Sequence, residues 1–439
     1  MRFVTMTQTF HQSLRETLGE RLASFAPLKE ILPIPVVLFP AEDFIKLKNG
    51  FRLVLSAQQK ILQSLRKRYS QEEILKLFHV PPKAWRFIDW NKLDANTDAI
   101  GRVDIVPTRS GEYKFCELNI GPPVDGHQMH QYCEPVLREF GASVSGLKAG
   151  RSTYDDLASL ISKRCAADGC QRIVLLDLDS YQTETPLVYE EMRRHLESAC
   201  RGYDVHLIKN SQYPEEWLTG SEGRKTLVFR LFLEKELVED EWQLFERIVN
   251  SGAVVLSTFE PYILHSKIWL ALLCDPNYHE LLSAEEISAI KTFIPESHRI
   301  DADNLDALLS DKDRLIFKLS NSGEGKDVLI GSEHSQAELR AVLESRLDEW
   351  IAQEFVYTLA PAFPQTHWTQ SVQQNAVLGL YHIDGLYSGF LLRCNARSRV
   401  VNLASGGKAA WVLSVSDDEY NTLLKQVSAA ACHKGNHDE

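Results

Sequence analysis

The sequence lacks the cysteine arrangements that mark disulfide-rich and zinc-binding proteins. Its 439 residues include eight cysteines, but no CxxC pair and no Cys/His finger spacing. Disulfide frameworks and structural zinc sites depend on such spacings, so neither is expected. The simplest interpretation is that the cysteines are reduced thiols of a cytoplasmic protein.

Long apolar runs and an excess of positive charge are also missing. No apolar stretch approaches the roughly 20 residues of a membrane-spanning helix, and the polar stretch after Met1 is unlike a signal peptide. The 60 Asp and Glu residues outnumber the 48 Lys and Arg residues, which gives a net charge of −12. Because nucleic-acid-binding proteins concentrate positive charge, we expect neither a nucleic-acid nor a membrane partner.

Two common nucleotide-binding motifs are absent as well. No GxGxxG opens a predicted helix, and GxxxxGK[ST] does not occur. A Rossmann-type dinucleotide site and a P-loop are therefore not expected. An ATP site of another kind stays possible, since it requires only a local basic pocket.

The apolar pattern predicts a mixed α+β and α/β fold. Between about 150 and 260, short apolar strands alternate with helical stretches, which predicts a small parallel sheet. From 262 the pattern predicts a helix that carries Lys267. Residues 310–412 predict an α+β unit with an antiparallel sheet, in which strands near 376–383 and 387–393 flank the turn Asp384-Gly385. Three stretches show the apolar spacing of amphipathic helices: 8–24, 56–77 and 128–140.

Two neighbouring predicted strands, Arg102–Val106 and Tyr113–Asn119, carry polar side chains at alternating positions. Strand side chains alternate between faces, so each strand places two of these polar groups on one face. Pairing of the strands would bring all four together. The four residues are Arg102, Asp104, Glu117 and Asn119.

This set suits a magnesium ion bound beside phosphates. Carboxylate and amide oxygens, as in Asp104, Glu117 and Asn119, are ligands that Mg²⁺ accepts. Arg102 would face the phosphates with its planar, charged fork. Cys116, next to Glu117, is expected to point to the opposite side, into the packing. The alternative is an ordinary solvated hairpin with alternating charges.

A second polar cluster follows a predicted strand that carries Lys318. The loop Ser320–Lys326 contains small residues, including Ser322, Gly323 and Gly325, which let backbone N–H groups approach anionic oxygens. Lys318 and Lys326 would add point charges. Taken alone, the loop also fits a plain surface hairpin built from turn-forming residues.

Further candidates are weaker by pattern. The strand that contains Gln353, Glu354 and Val356 could present backbone groups to an adenine edge. Asp125 and His127 are candidate pocket residues, although such a His is more often structural or solvated.

The order of these motifs resembles the ATP-grasp superfamily, specifically the circularly permuted synthetase domain of glutathionylspermidine synthases and their relatives. In ordinary ATP-grasp enzymes the phosphate-binding lysines precede the ExN metal motif, whereas here Glu117-Leu118-Asn119 precedes Lys318. The family's R-x-D motif is matched by Arg102-Val103-Asp104, and its Ser-Asn-Lys-like helix start approximately by Ser266-Lys267. The resemblance covers residues 95 to 415, and residues 402–407 depart from the synthase pattern.

The resemblance implies a permuted ATP-grasp fold and a set of roles. The implied regions are a helical N-terminal region at 1–95, a metal-binding part of the core at 96–150, a pre-ATP-grasp-like α/β domain at 151–260, and ATP-binding lobes with a phosphate flap at 261–439. The implied ligands are Mg²⁺ at Asp104, Glu117 and Asn119, ATP phosphates at Lys267 and Lys318, flap contacts at Gly323 and Gly325, and the transferred phosphoryl group at Arg102.

The implied reaction is ATP-dependent formation of an amide bond from a small-molecule carboxylate and an amine, through an acyl phosphate. The carboxylate would be an amino acid or a small peptide, and the amine a second amino acid or another amine. Two alternatives stay open: an ATP-binding sensor or scaffold without chemistry, and an ATP-grasp enzyme that transfers phosphate to a different acceptor.

Overall fold

A computed structural model gives the fold of the chain. It describes residues 2–3, 37–95, 100–121, 126, 152–179, 186–219, 221, 223–233, 237–256, 258–323, 325–360, 362–364, 371–402, 406–419, 421–422 and 425. The predicted helices 8–24 and 128–140 lie outside these residues, as do Asp125 and His127.

The described residues contain 17 strands and 12 α-helices. The strands are β1 Arg2–Phe3, β2 Val37–Pro40, β3 Ile100–Pro107, β4 Tyr113–Ile120, β5 Arg172–Asp177, β6 Asp204–Lys209, β7 Thr226–Arg230, β8 Val254–Val255, β9 Ser297–Arg299, β10 Leu315–Leu319, β11 Val328–Ile330, β12 Trp350–Glu354, β13 Ala362–Pro364, β14 Ser371–Gln373, β15 Asn375–Ile383, β16 Leu386–Asn395 and β17 Lys408–Val415. The α-helices are α1 Ala41–Arg68, α2 Gln71–Leu77, α3 Trp90–Ala95, α4 Thr153–Asp168, α5 Pro186–Ala199, α6 Glu215–Thr219, α7 Glu239–Asn250, α8 Pro261–Leu264, α9 Ile268–Cys274, α10 Ala284–Phe293, α11 Leu305–Ser310 and α12 Gln336–Leu343.

The largest sheet carries the predicted polar hairpin at one edge. Seven of the described strands form it in the order β1-β2-β17-β16-β15-β3-β4. Neighbouring strands are antiparallel, except that β2 and β17 are parallel. Between β15 and β16, Asp384 and Gly385 have φ of 47° and 78°. Positive φ at both central residues is the two-residue hairpin geometry that Asp-Gly favours.

One face of this sheet packs against α1 and forms the main core. Val103, Leu378 and Leu392 on the sheet are fully buried in the same cluster as Phe51 and Val54 of α1. Because strand side chains alternate, the residues between these apolar positions face the other side of the sheet. That second face is where the polar side chains of β3 and β4 lie.

The predicted helix 56–77 is two helices in the structure. Tyr69 has extended backbone angles, φ −124° and ψ 149°, and ends α1. Ser70 then caps α2 by accepting from the Glu73 N–H, while the Glu73 carboxylate accepts from the Ser70 N–H. This reciprocal capping box satisfies two N–H groups that a helix start leaves without partners.

A smaller antiparallel sheet lies beside the polar hairpin. Four strands within the described ranges form it in the order β11-β10-β12-β9. Its core contains Phe317, Leu343 and Trp350, separate from the main core. The loop that was predicted to bind phosphate connects β10 to β11, and so lies at one end of this sheet.

The third sheet is parallel, as the alternating strand and helix pattern predicted. Its strands are ordered β6-β5-β7-β8, and every pair is parallel. Ile173, Val174 and Leu175 of β5 are fully buried, as expected for a parallel strand that is covered on both faces. None of the helices in the described part of the chain is both long and apolar enough to cross a membrane.

Candidate functional site

The hairpin β3–β4 brings its four polar residues together. Arg102 lies opposite Asn119, and Asp104 lies opposite Glu117. The pairing then shifts by one residue, because Ile105 pairs with Phe115. The hairpin predicted from sequence is therefore confirmed, with a β-bulge that the alternation did not indicate.

Cys116 is the extra residue of this bulge. The residue is partly buried, and its thiol donates to the Asp104 carbonyl at 3.2 Å. Its orientation into the packing stays a prediction. Burial raises the pKa of the Cys116 thiol to about 11. Cys116 is therefore a neutral thiol at physiological pH. Bulges re-aim side chains beside functional sites.

Asp104 is buried between two guanidinium groups. Arg102 Nε donates to its Oδ1 at 2.8 Å, and Arg393 Nη2 lies 2.6 Å from its Oδ2. Asn119 Nδ2 donates to the same Oδ2 at 3.2 Å. Burial alone would raise the pKa of the Asp104 carboxyl, but Arg102 and Arg393 outweigh it and lower the pKa to about 2. Asp104 is therefore ionised, with its charge compensated.

Arg393 is a site residue that the sequence reasoning did not assign. It lies on β16 after the apolar run Phe390-Leu391-Leu392, yet only 8% of it is exposed. Its Nε atom is buried and has no hydrogen-bond partner within the described residues. A charged residue inside an apolar strand was the available signal, because such a residue is rarely buried without a counter-charge or ligand.

Lys267 connects the hairpin to the loop after β10. Its Nζ lies 2.8 Å from Glu117 Oε1 and donates to the Ser322 carbonyl at 2.5 Å. Burial would raise the pKa of Glu117, but Lys267 outweighs it and lowers that pKa. The helix that was expected to carry Lys267 is interrupted, and Lys267 directly precedes α9. Its backbone N–H donates to Ser320, so both ends of this lysine hold the loop.

Lys318 connects the sheet β11-β10-β12-β9 to the β3–β4 hairpin of the largest sheet. From β10, its Nζ donates to the Cys116 carbonyl at 2.9 Å and to Gln353 Oε1 at 2.6 Å. Gln353 in turn donates from Nε2 to Ser297 Oγ at 3.0 Å. Burial lowers the pKa of the Lys318 ammonium, partly offset by Cys116 and Glu117.

The loop between β10 and β11 is a compact turn, of which Glu324 lies outside the described residues. Ser322 Oγ donates to the Lys326 carbonyl at 2.6 Å, and the Lys326 N–H donates to the Gly323 carbonyl at 3.1 Å. Gly325 has φ 70°, and a Cβ there would lie 2.9 Å from Val400. The turn thus packs against the 400–402 segment. Its proposed closure over phosphates stays a prediction.

The three residues expected to contact adenine are not equivalent. Gln353 directs its side chain to Lys318, whereas Glu354 is exposed and ends β12. The Glu354 N–H donates to the Glu296 carbonyl at 2.7 Å, so one backbone donor expected for a purine edge is occupied. Val356 lies beyond the strand and is partly buried. The structure therefore brings Gln353, but neither Glu354 nor Val356, into the cluster.

The metal-ligand prediction is compatible with the donor chemistry. Asp104 and Glu117 face each other across the hairpin, and Asn119 adds an amide oxygen beside them. The described part of the chain contains no group of three or more His, Cys, Asp or Glu residues that could hold a metal ion. Two carboxylates and one amide are nevertheless enough for Mg²⁺, which takes few protein oxygens and completes its shell with phosphate and water. Asp104, Glu117 and Asn119 therefore fit this ion.

Four cationic side chains converge on two carboxylates in the described part of this cluster. The cations are Arg102, Lys267, Lys318 and Arg393, all at most 8% exposed. The carboxylates are Asp104 and Glu117, each of which has its pKa lowered by these cations. Buried lysine and arginine side chains grouped in this way are able to bind an anionic ligand.

Comparisons with known proteins address the fold. No protein-family model matches the sequence, and no curated protein matches it. The apo structure of a glutathione synthetase-like effector (GSS30) from Globodera pallida matches with a TM-score of 0.56 and 12% identity, over 94% of this chain and 100% of that chain. This chain shares its fold with a glutathione synthetase-like protein. The crystal structure of a candidate gamma-glutamylcysteine synthetase from Methylobacillus flagellatus KT matches over 87% of this chain and 96% of that chain, with 10% identity. Its TM-score of 0.42 is too low to support a conclusion about the fold.

Proposed function

We propose that the chain is an ATP-dependent carboxylate–amine ligase with a circularly permuted ATP-grasp architecture. The carboxylate would be an amino acid or a small peptide, and the amine a second amino acid or another small amine. The observation that carries the proposal is the convergence of four buried cationic side chains on two carboxylates among the described residues. A polyphosphate accompanied by Mg²⁺ would satisfy both signs of charge at once.

The residues divide by position and role into three groups. Lys318 and Lys267 come from the side of β10 and its following loop, so we assign them to the ATP phosphates. Asp104, Glu117 and Asn119 would hold Mg²⁺, which would offset phosphate charge. Arg102 and Arg393 flank Asp104 and would face the phosphoryl group in transfer.

The reaction would proceed in two displacements. A substrate carboxylate oxygen attacks the γ-phosphorus of ATP, the bond to the β-phosphate oxygen breaks, and ADP leaves. The amine nitrogen then attacks the acyl carbon, phosphate leaves, and the amine proton passes to solvent. Positioning and charge stabilisation account for catalysis of this kind, and no side-chain nucleophile is required.

One observation favours a second candidate, an ATP-binding protein without turnover. Both carboxylates are already paired with cations, Glu117 with Lys267 and Asp104 with two arginines. A site that is satisfied in this way could bind nucleotide and signal its presence without chemistry. A turnover assay with Mg·ATP separates the two candidates.

The test combines purified protein and Mg·ATP with pools of amino acids, peptides and polyamines. ADP and phosphate release are measured, and products are identified by mass. Amine-dependent appearance of an amide supports the ligase, whereas tight ATP binding without turnover on the whole panel favours the sensor. Phosphorylation of another acceptor group would point to the phosphotransferase.

A matched pair of variants tests the phosphate assignment. Lys318→Met removes a buried ammonium and should weaken ATP binding by at least about tenfold, because charge-assisted contacts contribute roughly 1.5–3 kcal/mol. Lys163→Met removes an exposed lysine that pairs with Asp384 and should leave binding unchanged. Equal ATP affinity in the two variants would remove Lys318 from the nucleotide site.

A further inference from the structure

Gly379 lies directly under the side chain of Arg102. On β15 it pairs with Asp104 of β3, while Tyr381 pairs with Arg102. Arg102 and Asp104 are two residues apart on β3, and the Arg102 side chain passes over Gly379 as it reaches the Asp104 carboxylate. It makes this crossing and donates from Nε to Asp104 Oδ1 at 2.8 Å.

The space above Gly379 is filled by the middle of the arginine side chain. A Cβ at Gly379 would lie 2.4 Å from Arg102 Cδ and 2.9 Å from both Cγ and Nε. Real Cβ atoms essentially never come within 3.0 Å of a heavy atom from a residue that is not adjacent in the chain. Any residue other than glycine would therefore displace this part of Arg102.

Backbone conformation does not explain the glycine. Gly379 is not among the described residues with positive φ. It continues the antiparallel pairing of β15 with β16 between Leu378 and Leu380, a conformation that other residues also adopt. The requirement is thus for space, not for φ. The ring of Tyr381, which is 1% exposed, limits Arg102 from another side, with Arg102 Cζ 6.0 Å from its centroid.

We propose that Gly379 is a positioning residue for Arg102. The missing side chain forms a slot that lays the arginine flat on β15 and fixes its guanidinium against Asp104, beside Arg393. The catalytic consequence, orientation of Arg102 toward the transferred phosphoryl group, rests on the proposed function. The structural coupling between Gly379 and Arg102 does not.

Gly379→Ala and Arg102→Ala, singly and together, test the coupling without any substrate. The added methyl should lower the urea midpoint when Arg102 is present and leave the midpoint unchanged, or raise it, in the Arg102→Ala background. If Gly379→Ala alone does not fold, recovery of folded protein in the double variant supports the slot. The slot is overturned if Gly379→Ala lowers the urea midpoint equally in both backgrounds. It is also overturned if neither Gly379→Ala nor the double variant folds.

Kinetics test the catalytic half. Gly379→Ala should reduce kcat by about 10- to 100-fold with little change in the KM for ATP, because small misplacements of a catalytic group have effects of that size. If the effect of Gly379→Ala on the urea midpoint depends on Arg102 but kcat is unchanged, the slot has no role in catalysis. A wild-type protein without turnover would instead refute the ligase proposal, while the midpoint cycle would still decide the slot.

Discussion

Replacing Asp104 with asparagine should destabilise the protein by about 2–5 kcal/mol, because Arg102 and Arg393 would lose their shared counter-charge. The lower figure follows from the pKa of Asp104, which is lowered from 3.8 to about 2. At 1.36 kcal/mol per pKa unit, that shift corresponds to about 2 kcal/mol. The upper figure is the usual cost of removing one partner from a buried ion pair.

The stabilisation by the Asp104 carboxylate should decrease as the pH falls. The pKa of Asp104 is lower in the folded protein, so its carboxylate stabilises the fold fully above the unfolded value of 3.8. That stabilisation is lost as the pH falls toward 2. Urea unfolding followed by tryptophan fluorescence should therefore show a constant gap between wild type and Asp104→Asn from pH 7 to 5, which narrows below pH 4.

Asp384→Asn is the matched control. Asp384 forms an ion pair with Lys163 at 2.9 Å on the surface, and exposed pairs contribute about 0–1 kcal/mol. A stability of Asp104→Asn within about 0.5 kcal/mol of wild type at pH 7, similar to this control, would refute the reasoning. It would mean that the two arginines do not depend on the Asp104 charge.

Two other predictions concern the metal and acid stability. Glu117→Gln should raise the Mg²⁺ concentration needed for ATP binding by at least about tenfold, as measured by calorimetry. It should also lower stability in part, because Lys267 loses its partner. An unchanged Mg²⁺ dependence would exclude Glu117 as a ligand. Burial lowers the pKa of His382 from 6.5 to about 4, so His382 favours the folded state fully above pH 6.5, and about 3 kcal/mol is lost as the pH falls to 4. His382→Leu should flatten the urea midpoint across that range, and an unaltered pH profile would contradict this account.

Local patterns predicted the elements that local chemistry determines. Alternation of polar and apolar residues was sufficient to place the β3–β4 hairpin, and Asp384-Gly385 was sufficient for the turn between β15 and β16. The α1–α2 break was also visible in principle, since Ser70 and Glu73 have the spacing of a capping box.

Other features depend on contacts between distant parts of the chain. The bulge at Cys116 results from how β4 pairs with β3, and periodicity within one strand does not contain that information. Arg393 joins the site because β16 lies two strands from β3 in the sheet. Lys267 was expected inside a helix, but the helix is interrupted where the residue contacts the loop after β10. Such contacts follow from topology, which short motifs do not specify.

The parallel pairing of β2 with β17 has a consequence for biosynthesis. Val37 pairs with Val412, so β2 is synthesised long before β17, its parallel neighbour. At typical rates of about 5–20 residues per second, the ribosome needs roughly 20 to 75 s to make the intervening segment. During that interval the Val37 strand has an exposed edge that can pair with other chains. We therefore expect the β2 edge to need protection from pairing with other chains during that interval.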